Sequence, residues 1–130
     1  MMLGHNDVHV NLLPLYHIMD LSLAFGVLYA GGKNVIIPKY DAKVAAELIA
    51  RERASIFGSV PPILSSVLDQ AEAGGHDLSS LRIVASLFDD PATIKRLETS
   101  TPARFWTGFG QTETTGYVTL AAYSERPGSS

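Results

Sequence analysis

The densest group of chemically capable side chains lies near the end of the chain, in Thr107, Gly108, Phe109, Gly110, Gln111, Thr112, Glu113, Thr114, Thr115 and Gly116. Two glycines let backbone approach a flat base with no Cβ in the way, and Phe109 offers a ring to stack on it. Thr112 can donate to a phosphate, and the Glu113 carboxylate can hold a hard cation. Each of these suits a nucleotide. The same residues also suit a polar hairpin turn whose glycines only supply unusual dihedrals, and spacing alone leaves both readings open. Upstream, His17 closes the run Leu13, Pro14, Leu15, Tyr16; taken alone it reads as a helix-start or core histidine. Asp89 and Asp90 precede Pro91, where either carboxylate can cap a helix, and Asp89 could also meet a base amino group.

Three other groupings carry less. Gly26 to Lys33 nearly spells a phosphate loop, but a second glycine displaces the lysine, no Ser or Thr follows it, and a helix precedes it. It reads as a helix C-cap. His5, Asp7 and His9 hold two imidazoles and a carboxylate with no clear third or fourth ligand nearby. No Gly-x-Ser-x-Gly elbow exists, which disfavours a hydrolase of that fold.

The elements that must position these residues follow from periodicity. Short apolar runs recur at Val35 to Ile37, Ser55 to Phe57, Arg82 to Ala85 and Arg104 to Trp106. They lack clean alternation and are β-branched or aromatic, as in strands covered on both faces. Val8, Val10 and Leu12 alternate with His9 and Asn11, which predicts a strand with one polar face near an edge. Helices are predicted from Ile18 to Gly31, behind Asp41 with Val44, Ala45, Leu48 and Ile49 facing inward, from Pro61 to Gly75, and from Pro91 onward burying Ile94 and Leu97. Tyr117 to Leu120 alternates like a last strand. The pattern predicts an α/β fold, a doubly wound, mainly parallel sheet with helices on both faces, as one unit over residues 1–122 with a tail at 123–130. In such a sheet ligands bind beyond the carboxyl ends of the strands. The loops there hold Pro38 and Lys39, Gly58 and Ser59, Ser86 to Asp90, and Thr107 to Gly116.

Composition sets the outer bounds. Of 130 residues, 46% are hydrophobic and 18% charged, which excludes disorder and implies a real core. A net charge of −3 without any Lys/Arg cluster disfavours nucleic acid as a partner. There is no cysteine, so no disulfide or thiolate metal site, and the cytosol is the expected location. No apolar stretch is long enough for a membrane span, and the start has no basic and apolar leader pattern.

Gly108 to Glu113 resembles the glycine–aromatic–glycine–x–Thr–Glu signature of the adenylate-forming superfamily of acyl-CoA synthetases, peptide-synthetase adenylation domains and luciferases. Leu13 to His17 resembles the Pro-Leu-aromatic-His motif those enzymes carry near their acyl pocket. The resemblance implies one subdomain of their large N-terminal domain, from about Asp7 to the closing Arg126 to Ser129. It implies Phe109 against adenine, with Gly108, Gly110 and Gln111 beside the nucleotide, Thr112 on the α-phosphate and Glu113 toward Mg²⁺. His17, with Ser86 and Leu87, would line the pocket of a small-molecule carboxylic acid. ATP, giving AMP, and coenzyme A are the implied cosubstrates. One departure stands out: Ser86, Leu87, Phe88, Asp89, Asp90, Pro91 replace a small, glycine-rich stretch, so Leu87 and Phe88 would shorten the acyl tunnel if they face it.

The same resemblance places a phosphate loop with its lysine before residue 1, and a ribose-binding aspartate, a hinge and a catalytic lysine after Ser130. The chain is then expected to be inactive alone, to need the other subdomains of its parent chain as partners, and to self-associate through apolar surface left uncovered. A rival of another class is a free-standing doubly wound binding or receiver-like regulatory module using Asp89 and Asp90 as an acidic cluster. It explains the size and not the paired motifs.

Overall fold

β-branched and apolar runs become strands where neighbours on both sides complete their hydrogen bonds, and the computed structural model, which describes residues 2–123, shows six of them. In chain order the elements are β1 (Val8–Asn11), α1 (Ile18–Tyr29), β2 (Lys33–Ile36), α2 (Ala42–Arg51), β3 (Ile56–Ser59), α3 (Ile63–Gly74), β4 (Ile83–Ser86), α4 (Pro91–Ser100), β5 (Arg104–Gln111) and β6 (Gly116–Ala122). A 3₁₀ turn at Thr112–Thr114 joins the last two strands. The sheet order is β2-β1-β3-β4-β5-β6. The first five strands are parallel, and β6 closes back antiparallel on β5. This is the expected doubly wound sheet. Among the described residues, no helix is long and apolar enough to cross a membrane.

One face is covered by α2, α3 and α4. The paired row Val10, Phe57, Val84, Phe105 packs there against Ala45, Ile49, Leu64, Val67, Ile94 and Leu97 in one buried cluster. The other face is covered by α1, whose Leu23 and Val27 meet Ile56, Ile83 and Ala85, with Leu3 packed beside them. Helix α1 is apolar on its outer side too: Phe25 and Leu28 are each 61% exposed and Tyr29 is 98% exposed.

Caps follow the sequence closely. The Asp41 carboxylate accepts from Val44 N–H at 3.0 Å and starts α2. Gly75 closes α3 in the left-handed region at φ 62°. Asp90, not Asp89, caps α4, accepting from Ala92 and Thr93 N–H at 2.9 and 3.1 Å. Helix α1 ends at Tyr29, with Gly31 at φ 80° just beyond it, so the glycine pair terminates a helix as expected.

Four expectations need correction. β1 lies near an edge as expected, next to the edge strand β2, but its polar residues His9 and Asn11 are buried and do not form an exposed face. The true edge is β2, whose Ile36 is 61% exposed, so that strand is not covered on both faces. Val44 is 42% exposed because the inward arc of α2 runs through Ala45, Ala46, Leu48 and Ile49. Finally, Thr107 to Gln111 belong to β5 itself and not to a loop, because β6 supplies partners for the ladder. Tyr123 packs edge-on against Phe105, with ring centroids 6.3 Å apart. The rest of the tail, 124–130, lies outside the described residues.

At the amino end of the sheet Arg82 clamps Asp7 at 2.7 and 2.8 Å, joined by Ser55 Oγ and Gly4 N–H at 2.7 and 2.8 Å. Burial pushes the Asp7 carboxyl up, but these donors outweigh it and hold it below the usual range. Asp7 is thereby committed to structure, and among the described residues no group of three or more His, Cys, Asp or Glu could hold a metal.

Candidate functional site

β5 outruns its parallel neighbours by several residues, which carries the Gly108 to Gln111 stretch past the carboxyl edge of the sheet. The hairpin with β6 depends on both glycines. A Cβ on Gly108 would lie 2.0 Å from the Thr119 carbonyl oxygen, and one on Gly110 would lie 2.1 Å from that of Gly116. The expected use of these glycines, close approach to a base, is thus preceded by another: close approach to β6. The pairing shifts register between Phe109 and Gly110, a bulge that re-aims the strand beyond it.

The turn is built from threonines. Thr114 Oγ1 accepts from Gln111 N–H at 3.2 Å and lies 3.0 Å from Gln111 O and 3.2 Å from Gly116 O. Thr115 sits at φ 61° with its N–H on Thr112 O at 3.0 Å, a left-handed conformation rare for a β-branched residue. Gly116 follows at φ 107°, where a side chain would be strained. The result holds Gln111, Thr112 and Glu113 outward.

Across from the turn stands the start of α1. His17 is its N-cap, and its Nδ1 accepts from Met19 N–H at 3.3 Å. When the ring is neutral that bond puts the proton on Nε2. His17 therefore caps α1, as its helix-start reading expects, and its ring also borders a cleft. A cleft of about 260 Å³ is lined by His17, Ile18, Met19, Leu87, Gly110, Gln111, Thr112, Glu113, Gly116 and Tyr117. It gathers six of the sequence-expected site residues from the β1–α1 junction, the end of β4, and the β5–β6 turn.

The remaining candidates fall elsewhere. Gly108 lies beneath the Tyr117 ring, whose Cδ1 would be 3.0 Å from a Cβ there. Phe109 is 67% exposed and stands outside the cleft. Phe88 is also 67% exposed; each ring lies two residues beyond the paired Ser86 and Thr107 on neighbouring strands. Ser86 is fully buried, and its Oγ donates to Phe88 O at 2.9 Å, so it shapes the β4 turn and does not face the cleft. Thr107 Oγ1 supports the same turn through Leu87 O at 2.7 Å. Leu87 does line the cleft while Phe88 does not. Asp89 Oδ1 accepts from Asp90 N–H at 2.9 Å, and its Oδ2 is buried with no partner among the described residues. Burial raises its pKa, and the neighbouring Asp90 charge adds to that.

A family model described as AMP-binding enzyme matches residues 1–130. The chain belongs to the AMP-binding enzyme family. It is 30% identical over 129 residues to 4-coumarate--CoA ligase 4 of Arabidopsis thaliana, covering 94% of this chain and 22% of that protein. It is 39% identical over 84 residues to the 2,3-dihydroxybenzoate-AMP ligase of Bacillus subtilis (strain 168), covering 63% of this chain and 16% of that one. In structure it matches a protein described as a long-chain-fatty-acid CoA ligase of Rhodopseudomonas palustris CGA009 with a TM-score of 0.89 and 40% identity, over 96% of this chain and 31% of that one. The chain thus spans about a fifth of the first of these relatives and a third of the solved structure. The receiver-like alternative is not favoured: its acidic pair is divided between a helix cap and a turn.

Sequence reasoning missed Ile18, Met19 and Tyr117 as cleft residues. Ile18 and Met19 follow His17 directly, and the first-turn position that makes His17 a cap turns them toward the same opening. Tyr117 could be found only once β6 was paired, because its register opposite Gly110 brings the ring over the glycine-bearing strand.

Proposed function

We propose that this chain is the acid- and nucleotide-binding segment of an ATP-dependent ligase. That enzyme activates a small carboxylic acid as its acyl-adenylate, releasing pyrophosphate, and hands the acyl group to the thiol of coenzyme A. One observation carries the reading: the β5–β6 turn sets Gln111, Thr112 and Glu113 on the same cleft as His17 and Leu87. A phosphate and a carboxylate meeting there would sit between hydroxyl, amide and imidazole donors.

In this reading the Thr112 hydroxyl donates to the α-phosphate of ATP. His17 Nε2–H, free of the helix-capping bond, faces the acid carboxylate. The exposed rings of Phe88 and Phe109, beyond paired strand ends, suit the faces of adenine, and the Asp89 Oδ2 suits its amino group. Glu113 fits Mg²⁺, since that ion keeps most of its water and takes one or two carboxylates beside phosphate oxygens. When bound, the ion would neutralise phosphate charge. The remaining donors of the reaction would come from the rest of a longer parent chain.

The test is acid-dependent ATP–pyrophosphate exchange by the full-length ligase that carries this segment. Glu113→Gln is expected to lower exchange about 100-fold, while the 130-residue chain alone gives no more exchange than a heat-killed control. Exchange indifferent to Glu113→Gln would overturn the assignment of that residue, and exchange by the chain alone would overturn its dependence on a parent.

A further inference from the structure

Two side chains on which the ligase reading depends, Thr112 and Glu113, stand on the short turn between β5 and β6. Both are exposed, so packing does little to orient them and their direction is that of the backbone beneath. What fixes that backbone is the residue that follows them. Thr114 does not line the cleft, and no role in the reaction has been given to it so far.

Its hydroxyl sits between the two strand ends that bracket the turn. Thr114 Oγ1 accepts from Gln111 N–H at 3.2 Å, and its single proton has Gln111 O at 3.0 Å and Gly116 O at 3.2 Å to choose between. One oxygen thus ties the last residue of β5 to the first residue of β6. The tie works against strain. Thr115, inside the bracket, is held at φ 61°, a conformation that a β-branched residue keeps only where its surroundings over-determine it. Without the hydroxyl, Thr115 can relax toward a commoner conformation, and the backbone under Thr112 and Glu113 turns with it.

Gly116 shows where that movement would be felt. A Cβ there would lie 3.3 Å from Ser22 Oγ and 3.8 Å from Ile18 Cγ1, so the hairpin rests directly on α1, the helix that His17 caps. The carbonyl within reach of Thr114 belongs to this same residue and also backs onto Gly110, the cleft glycine of β5. The Thr114 hydroxyl therefore bears on the direction of Thr112 and Glu113 and on how far their side of the cleft stands from the His17 side.

We infer that Thr114 is a positioning residue for acyl-adenylate formation, one that touches neither acid nor nucleotide and acts by aiming Thr112 and Glu113 into the cleft. This rests on the ligase reading above and adds a residue to it. The experiment follows single turnovers of the full-length ligase, in excess over ATP, by rapid quench. The acid is benzoate, cinnamate or octanoate, whichever the unmodified enzyme activates fastest. Thr114→Val keeps the shape of the side chain and removes the hydroxyl; Thr114→Ser keeps the hydroxyl. Misplacement by about 1 Å can cost about 100-fold, so the rate constant should fall at least about tenfold in Thr114→Val and stay within about threefold in Thr114→Ser. Thermal unfolding should separate the two variants little, because the residue is exposed. A merely structural role would lower the fraction of enzyme that reacts and leave the rate constant unchanged. A loss confined to that fraction, an equal fall in both variants, or an unchanged rate constant in Thr114→Val would overturn the inference and leave the ligase reading standing. An unmodified enzyme that forms no acyl-adenylate from any of these acids would overturn both.

Discussion

The two faces of the sheet are built on different terms. On the face under α2, α3 and α4, the row Val10, Phe57, Val84, Phe105 packs in one cluster with apolar residues of those helices. On the face under α1, the strands present His9, Asn11 and Asn34, and the helix answers with Asp20. His9 Nδ1 lies 3.0 Å from Asn34 Oδ1 and 3.1 Å from Asn11 Nδ2, and Asn34 Nδ2 reaches Ala24 O at 3.0 Å. The first arrangement is satisfied by volume and area, which many side chains can supply. The second works only if each donor finds its acceptor. The contrast assigns roles: the three-helix face makes the fold, and the one-helix face fixes where α1 starts, hence where His17, Ile18 and Met19 stand at the cleft.

The comparison can be broken by making the two faces cost the same. Phe57 is fully buried at the centre of the apolar face, so Phe57→Ala should lower unfolding free energy by about 3–5 kcal/mol in urea titration. Asp20→Ala on the other face leaves the His9 ring and Leu13 N–H facing an absent acceptor, for about 1–3 kcal/mol. It should be strongly non-additive with His9→Ala, with a coupling of about 0.5–3 kcal/mol from the double-mutant cycle. Additive losses would mean the polar pair is incidental. A loss from Asp20→Ala equal to that from Phe57→Ala would erase the distinction between the faces.

What could be read from residues alone divides along the same line. Periodicity located every helix and the five parallel strands, because apolar burial leaves a regular imprint on sequence. His17 and the stretch Gly110 to Glu113 reached one cleft, since strand ends and helix starts converge at a fixed edge of a parallel sheet. Non-local pairing left no such imprint. His9 and Asn11 alternate as solvent-facing residues would, and only Asp20 and Asn34, distant in sequence, turn that face inward. Ser86 looked like a pocket residue by position, yet its hydroxyl is spent on the Phe88 carbonyl. Gly108 and Gly110 were legible as close-approach positions, but that the approaching backbone is β6 required the hairpin register.

The smallest expected effect sharpens the comparison at a single pair of neighbours, Asp89 and Asp90. Asp90 sits at the N-terminus of α4, where hydrogen bonds from Thr93 and Ala92 hold its pKa below the usual value. A lowered pKa means the folded state favours the charged form. Its stabilisation is therefore present above the ordinary carboxylate value of about 3.9 and lost as pH falls through the depressed one. Asp89 is shifted the other way, chiefly by burial. Its contribution is fully present below about 3.9 and lost as pH rises through the raised value, so its charge at neutral pH opposes folding. Asp90→Asn keeps a capping oxygen and removes only the charge, and should lower the urea midpoint at pH 7, with the difference shrinking as pH falls below about 3.9 and through the depressed value. Asp89→Asn should raise the midpoint at pH 7, again with the difference closing at pH 3. Two shifts of the same sign at pH 7 would show that the buried Oδ2 of Asp89 has a partner in solution that favours its charge. The base-recognition role proposed for that oxygen would then lose its physical basis, because an acceptor already engaged has nothing left to offer an amino group.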